Sequence, residues 1–414
     1  MTRIYYTDAY CQAFDARVVR AFVHDGRPAV TLDRTAFYPT SGGQPFDVGT
    51  LGDAAVVDVV DVEGDVVHVL SLPLTEGAAV RGQIDWARRF DHMQQHTGQH
   101  VLSAALVRVC NAATVSFHLG SDASTIDLSA AVGPDDVERA VDEANRIVWA
   151  NYEVVIRFAS EEEAKALPLR KESARQGELR LVEVPDFDLS ACGGTHVART
   201  GAIGGIAVTD TEKFKGGVRL TFVCGARAVR ALRQLRDAVA RSVRVLSVLP
   251  QELPAAVEKL QADGKQLRKT MAGLQASLAV HEADRLLAGS RNVAAGLSGL
   301  HQGDRRVITE IYEIEGGPDR PAATYWDAAG LKTIASSLIA RDPVAVVLVA
   351  GGPSATVVVA SAPSLGLDAN AVVRQLTERF GGRGGGRPEM AQAGGLSGRA
   401  AEIAAVARTL LESA

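Results

Sequence analysis

Two short stretches carry most of the metal-ligating chemistry in this chain. In the first, His96 and His100 stand four residues apart; in the second, Cys192-Gly193-Gly194-Thr195-His196 sets a thiol and an imidazole at the same interval. On a helix, an i,i+4 pair projects from one face. Neutral imidazole and thiolate are both good zinc donors. The paired glycines are expected to let the second segment turn tightly, so that its two side chains converge. Together the stretches offer a tetrahedral set of one sulfur and three nitrogens. Four protein ligands is the usual count of a closed structural site. Imidazole-rich donors drawn from separate elements fit a shaped catalytic cavity better, so both readings stay open on spacing alone.

The elements that must position these donors follow from periodicity. Residues 1–85 read as β-rich, with apolar stretches such as Val56-Val57-Asp58-Val59-Val60-Asp61-Val62 punctuated by Gly, Asp and Pro. Such spacing suggests a small barrel or folded sheet. Within it, Phe37-Tyr38-Pro39-Thr40-Ser41-Gly42-Gly43-Gln44-Pro45 is a loop by composition. Residues 86–245 switch to a mixed α+β domain. It opens with the histidine helix, on which only Gly98 counts against helicity, and adds a second helix over 135–152. Strands are expected at 154–158, 202–209 and 219–223.

Over 246–298, Leu253, Val257, Leu260, Gly264, Leu267, Met271, Leu274 and Leu278 alternate spacings of four and three, a heptad seam. It reads equally well as a hairpin within the chain or as the contact of a homodimer. Residues 299–414 form a compact α/β domain, with Val-rich runs at 344–350 and 355–360 joined by Gly351-Gly352-Pro353-Ser354, and a Gly-rich run from Phe380 to Pro388. The fold class is therefore α+β, in four parts.

Composition bounds the function. The chain has 414 residues, 47% hydrophobic and 22% charged, with a net charge of −5 and four scattered cysteines. These values exclude wholesale disorder, a disulfide framework and a uniformly basic nucleic-acid binder, though a local basic patch suffices for phosphate. With no apolar run long enough to span a bilayer and no signal-peptide core, a cytoplasmic protein without membrane contact is expected.

The four motifs Phe37–Pro45, His96-Thr97-Gly98-Gln99-His100, Cys192–His196 and Lys215-Gly216-Gly217-Val218-Arg219 occur in an order that resembles the editing region of alanyl-tRNA synthetase. The Gly381–Gly395 tail resembles that enzyme's C-terminal tRNA-binding domain, shared with DHH phosphoesterases (DHHA1-type). From its β-rich start, the chain is expected to lack the class II aminoacylation and tRNA-recognition domains that precede the editing region in the synthetase. The chain thus looks like a long-form member of the AlaX family of free-standing alanyl-tRNA editing proteins, without aminoacylation activity.

The resemblance implies a zinc-dependent aminoacyl-tRNA deacylase that removes serine, and in some members glycine, from mischarged tRNA(Ala) in trans. It places the metal ligands on His96, His100, Cys192 and His196. Zinc could activate a water or hold the substrate, and no carboxylate stands in an evident general-base motif, so the catalytic residue is not named. A glutamine common in synthetase editing domains after the first zinc helix is missing from Thr114-Val115-Ser116-Phe117-His118-Leu119-Gly120. Ser116 or His118 is expected in its place, and the bland alternative for His118 is a satisfied, non-catalytic histidine.

A polar contact to the serine hydroxyl is also expected, from Thr40, Ser41, Ser116 or Thr195, though any one of them taken singly reads more readily as a turn or capping residue. Contacts to the tRNA body are expected from Arg227, Arg230 and Arg233 on a basic helix, and from Arg383 and Arg387, whose glycine neighbours would offer backbone amides. A small-ester zinc hydrolase and a tRNA binder with a purely structural zinc are the rivals. The Asp-His-His metal motif of the phosphoesterases is only partly echoed by Asp91-His92-Met93.

Overall fold

The structure is a computed structural model that describes residues 1–170, 177–296, 306–312, 326–352 and 354–413. The expected 298/299 boundary and Pro353 lie outside these residues. The chain divides into two compact units, Met1–Val245 and Leu246–Ala414.

The first unit opens with six antiparallel strands, β1 (Ala13–His24), β2 (Arg27–Leu32), β3 (Gly49–Leu51), β4 (Ala54–Val62), β5 (Asp65–Leu70) and β6 (Ala79–Ile84). Paired in the order β1-β2-β5-β4-β3-β6, with β6 returning to β1, they close a barrel. Closure removes the free edges that an open sheet of short strands would expose. The strands alternate, and their inward residues, among them Val18, Val30, Leu32, Leu51, Val59, Val66 and Leu70, fill the interior.

Asp85 then caps α1 (Trp86–Cys110) by accepting from the amide of Arg88, and Asn111 ends the helix in the left-handed conformation. This helix is buried on every side from His92 to Leu106. Gly98 has a reason to be there: a Cβ would run into the Sγ of Cys224, so the missing side chain lets a strand pack directly on the helix. That strand belongs to the sheet β12 (Ile206–Phe214), β13 (Gly217–Cys224), β8 (Ser124–Leu128), β7 (Thr114–Leu119), in that order, which leaves β7 at an edge. The helix α2 (Pro134–Ala150) stops at Asn151, slightly short of the expected end. A third sheet runs β9 (Val155–Ala159), β10 (Leu179–Val184), β11 (Asp188–Ala191). The strand expected at 202–209 begins later, at Ile206, because Thr200–Ile203 forms a 3-10 turn closed by left-handed Gly204.

The basic helix α3 (Ala226–Leu246) follows, then α4 (Leu253–Gly296), which contains the whole heptad seam. Val257, Leu260, Leu267, Met271, Leu274 and Leu278 are exposed within this chain. The second unit's sheet has the order β14 (Val307–Tyr312), β15 (Ala345–Ala350), β16 (Ala355–Ser361), β18 (Met390–Leu396), β17 (Arg383–Arg387). One face packs on α4 and α5 (Ala328–Ile339), the other on α6 (Ala369–Phe380) and α7 (Ala400–Ser413). Burial of both faces explains why β15 and β16 are continuous valine runs. Within the Gly-rich run, Arg383–Arg387 forms the edge strand β17; a Cβ at Gly384 or Gly386 would collide with β18. No described helix is long and apolar enough to cross a membrane.

Candidate metal centre

His96, His100, Cys192 and His196 come together, with one donor atom from each lying within 4.8 Å of all the others. The two histidines of α1 face a loop that leaves β11 and carries the Cys-Gly-Gly-Thr-His sequence. Cys192 Sγ is 3.4 Å from Nε2 of His96 and 3.4 Å from Nε2 of His196.

Each imidazole is aimed by a partner on its far nitrogen. His96 Nδ1 lies 2.8 Å from Gln44 Oε1, His100 Nδ1 lies 3.2 Å from Asp188 Oδ2, and His196 Nδ1 lies 3.2 Å from Thr97 Oγ1. Thr97 donates to the Met93 carbonyl, so its oxygen accepts from His196. With the proton fixed on every Nδ1, three Nε2 atoms and one sulfur point inward, as metal-binding histidines require.

Charge agrees with geometry. Burial opposes a thiolate at Cys192, but His96, His196 and His100 outweigh it and hold the thiol well below its ordinary pKa. Burial lowers His196 to about 3, which leaves it neutral. Burial also pulls His100 down, yet Asp188 and Cys192 overcome it and raise this group. The proton so retained is the one a metal ion would displace. Burial would raise Asp188 as well, but His100 and Arg170 bring it to about 2, a permanent carboxylate behind the histidine. The four residues could therefore hold a metal ion.

The expected freedom from Cβ clashes is met at Gly194, without a left-handed turn. Neither Gly193 nor Gly194 is left-handed. Gly194 is needed for close approach: a Cβ there would collide with Cε1 and Nδ1 of the His96 ring.

Gln44 is the residue that sequence reasoning passed over. It is fully buried, accepts from the Thr195 amide at 3.1 Å, and donates to Thr195 Oγ1 at 2.8 Å. It thus ties the barrel loop to both halves of the site. Its signal was its place after Gly42-Gly43 in the first motif. That loop is pinned from beneath by the fully buried Arg89–Asp47 pair, whose carboxylate also accepts from the Tyr38 amide. Its Gly43 carbonyl accepts from Leu119 on the free edge of β7.

Three of the four donor residues, His96, His100 and Cys192, line a cavity of about 740 Å³. Of the residues expected to meet substrate, Ser41 and Ser116 line it, and Ser116 donates to Asp127, which Arg219 of the Lys-Gly-Gly-Val-Arg motif holds at 2.6 Å. Thr195 is buried behind it on Gln44, Thr40 accepts from the Phe46 amide, and His118 is exposed on β7 outside the cavity lining. Gln99, on α1 between the two ligand histidines, lines the cavity and was not anticipated.

Arg230, Arg233, Arg383 and Arg387 are exposed. Arg227 departs from the expected phosphate contact. It is 3% exposed, pairs with Asp91 at 2.6 Å and donates to the Gly120 carbonyl, so its guanidinium holds α3 to the domain.

Three family models match the chain: "tRNA synthetases class II (A)" over residues 5–88, "Threonyl and Alanyl tRNA synthetase second additional domain" over 179–220, and "DHHA1 domain" over 320–413. The alanine–tRNA ligase of Pyrococcus abyssi is 32% identical over 94% of this chain and 41% of its own length. That of Halobacterium salinarum is 36% identical over 95% and 42%. The chain therefore spans about two fifths of the ligases it matches. The alanyl-tRNA editing protein AlaX-L of Pyrococcus horikoshii is 30% identical over 99% of this chain and 98% of its own. With that end-to-end match, and with the metal-ligand set assembled in the fold, the chain belongs to the AlaX-L family of alanyl-tRNA editing proteins.

Proposed function

We propose that this chain is a zinc-dependent deacylase that hydrolyses tRNA(Ala) mischarged with serine or glycine, acting in trans. The observation that carries this reading is the cluster of three oriented Nε2 atoms and one thiolate, with His96, His100 and Cys192 lining a cavity, in a chain similar over its length to a protein named for alanyl-tRNA editing.

Zinc fits the donor chemistry. Bonds of about 2.3 Å to sulfur and 2.0–2.1 Å to nitrogen, at tetrahedral angles, require S···N separations of about 3.5 Å, against the 3.4 Å found. When bound, zinc supplies a Lewis acid beside the ester. The chain's own residues do the rest. Gln44, Asp188 and Thr97 orient the ligands. The cavity is large enough for an aminoacylated terminal nucleoside, since such sites run to about 300–1,000 Å³. Ser41 and Ser116, the two expected hydroxyls on its wall, are assigned to the serine side chain. A synthetase pocket built for alanine discriminates weakly against one methylene or one added hydroxyl, which is the error a second site removes.

Arg230, Arg233, Arg383 and Arg387 are assigned to tRNA phosphates, and the exposed α4 seam to a homodimer. The working division is 1–85 and 86–245 for the editing site, 246–298 for the seam and 299–414 for tRNA binding, in the cytoplasm where tRNA is charged.

The test is deacylation of Ser-, Gly- and Ala-tRNA(Ala), together with a non-cognate tRNA carrying serine. Release of serine and glycine but not alanine is expected, with activity lost on Cys192→Ala while tRNA binding persists. Full activity of folded, metal-free protein would remove zinc from the reading. Unchanged tRNA affinity after truncation near residue 295 would remove the tail.

A further inference from the structure

Among the described residues, three arginines are buried, and two of them have carboxylate partners: Arg89 with Asp47 and Arg227 with Asp91. The third, Arg180 on β10, is 7% exposed and has none; burial lowers its pKa, and the ionised group opposing this is the Cys192 thiolate. Its Nε donates to the Tyr6 carbonyl at 2.9 Å and its Nη1 to the Cys192 carbonyl at 2.7 Å. The second bond fixes the guanidinium to the backbone of a metal ligand. Nη2 has no hydrogen-bond partner among the described residues and is not sealed off, and Arg180 lines the cavity. Among the described residues, the other arginine on this wall, Arg170, is committed to Asp188 and Ser190.

A buried cation left without a carboxylate is costly and persists where an anion is to be met. Three neutral imidazoles and one thiolate around a divalent cation sum to one further positive charge. Among the described residues, Glu178, which is exposed, is the single acidic side chain lining the cavity. The floor therefore favours a negative oxygen beside Cys192.

We propose that Arg180 is a catalytic residue whose free Nη2 donates to the carbonyl oxygen of the scissile aminoacyl ester as that oxygen becomes an oxyanion. This rests on the deacylase reading above. In the step, water adds to the ester carbon and its C=O electron pair moves onto the oxygen facing Arg180. The pair returns as the C–O bond to the ribose breaks, one water proton ending on the ribose oxygen and leaving free amino acid and tRNA. The tether to two main-chain carbonyls preorganises the donor, which is what gives such groups their effect on rate. The alternative anion, the 3′-terminal phosphodiester, would be bound equally in ground and transition states and would move KM instead.

The experiment compares wild type with Arg180→Met and Arg180→Lys. For Ser-tRNA(Ala), kcat should fall about 100-fold in Arg180→Met while KM stays within about twofold, with zinc content and melting temperature retained. A rise in KM at unchanged kcat would overturn the proposal in favour of the phosphodiester.

A second readout needs no turnover. Calorimetry measures two adenosine ligands, a 3′-seryl phosphonate ester (tetrahedral and anionic) and a 3′-seryl amide (planar and neutral), on zinc-loaded and metal-free protein. Wild type should favour the phosphonate, and Arg180→Met should lose at least about tenfold of that preference. An undiminished preference overturns the proposal. If Arg180→Met does not fold, Arg180→Lys decides: lowered kcat and preference support the role, and wild-type values refute it. Failure of both to fold marks Arg180 as structural and overturns it. A wild type that binds the phosphonate selectively but releases no serine would sink the deacylase reading without touching the anion site.

Discussion

Replacing Gln44 by leucine should weaken metal binding far more than its distance from the donor atoms suggests. The side chain is fully buried and makes three hydrogen bonds, to His96 Nδ1, the Thr195 amide and Thr195 Oγ1. Leucine leaves the His96 N–H and the Thr195 N–H buried without acceptors, at about 1–3 kcal/mol each in stability. More specifically, the His96 ring loses what fixes its tautomer and aim, and removing such an outer partner typically costs about 10–100-fold in metal affinity. That is about 1.4–2.7 kcal/mol of binding free energy.

The assay is zinc competition against a chelator of known affinity at pH 7.5, with melting curves of the loaded and metal-free forms. The control is Gln44→Glu. Its carboxylate still accepts from His96 and the Thr195 amide, and the Thr195 hydroxyl can rotate to donate to it. Affinity in this variant should stay at or above that of wild type. A Gln44→Leu protein that binds zinc within about threefold of wild type would refute orientation through Nδ1, because that tenfold minimum is the expectation. Equal losses in both variants would point to packing and not to the hydrogen bond.

Three further outcomes follow from neighbouring contacts. Gly194→Ala should cut zinc affinity by at least about 100-fold while circular dichroism stays native, since its Cβ collides with the ring of His96; wild-type affinity would contradict this. Asp47→Ala should cost about 3–5 kcal/mol in denaturant unfolding by stranding the buried Arg89 charge, and the double change Asp47→Leu/Arg89→Leu should recover part of it. His68 is buried in the barrel, where its Nδ1 faces the Val30 carbonyl and its Nε2 the Thr35 hydroxyl, and burial lowers it to about 4. As pH falls below the ordinary 6.5 the unfolded chain takes the proton first, so this contribution is complete above pH 6.5 and is lost as pH drops through 4. It amounts to about 3 kcal/mol at most. Unfolding at pH 7.5 and 4.5 should show this difference between wild type and His68→Gln, and a His68 resonance titrating near 6.5 would contradict it.

The residue types and local spacing determined a good deal on their own. Two donor pairs at intervals of four, a seam of threes and fours, alternating strands before residue 85 and unbroken valine runs after 344 each report which side chains share a face, because helices and strands have fixed periods. The donor set, the helix that carries half of it, and the seam within α4 were all legible in this way.

Only the tertiary structure decided what meets those faces. Gln44 reaches His96 across 52 residues and Asp188 reaches His100 across 88, through contacts between elements that no local period encodes. The same holds for Arg227, Arg230 and Arg233. They look alike in a basic helix, yet the packing of α3 buries Arg227 against Asp91 and leaves the other two in water. The glycine-rich tail became an edge strand because β18 lies beside it, and Gly98 and Gly194 are required by a cysteine and a histidine far away in sequence. Periodicity fixes the direction of a side chain, but its partner is set by how separate elements pack, and at this site the partners orient the donors.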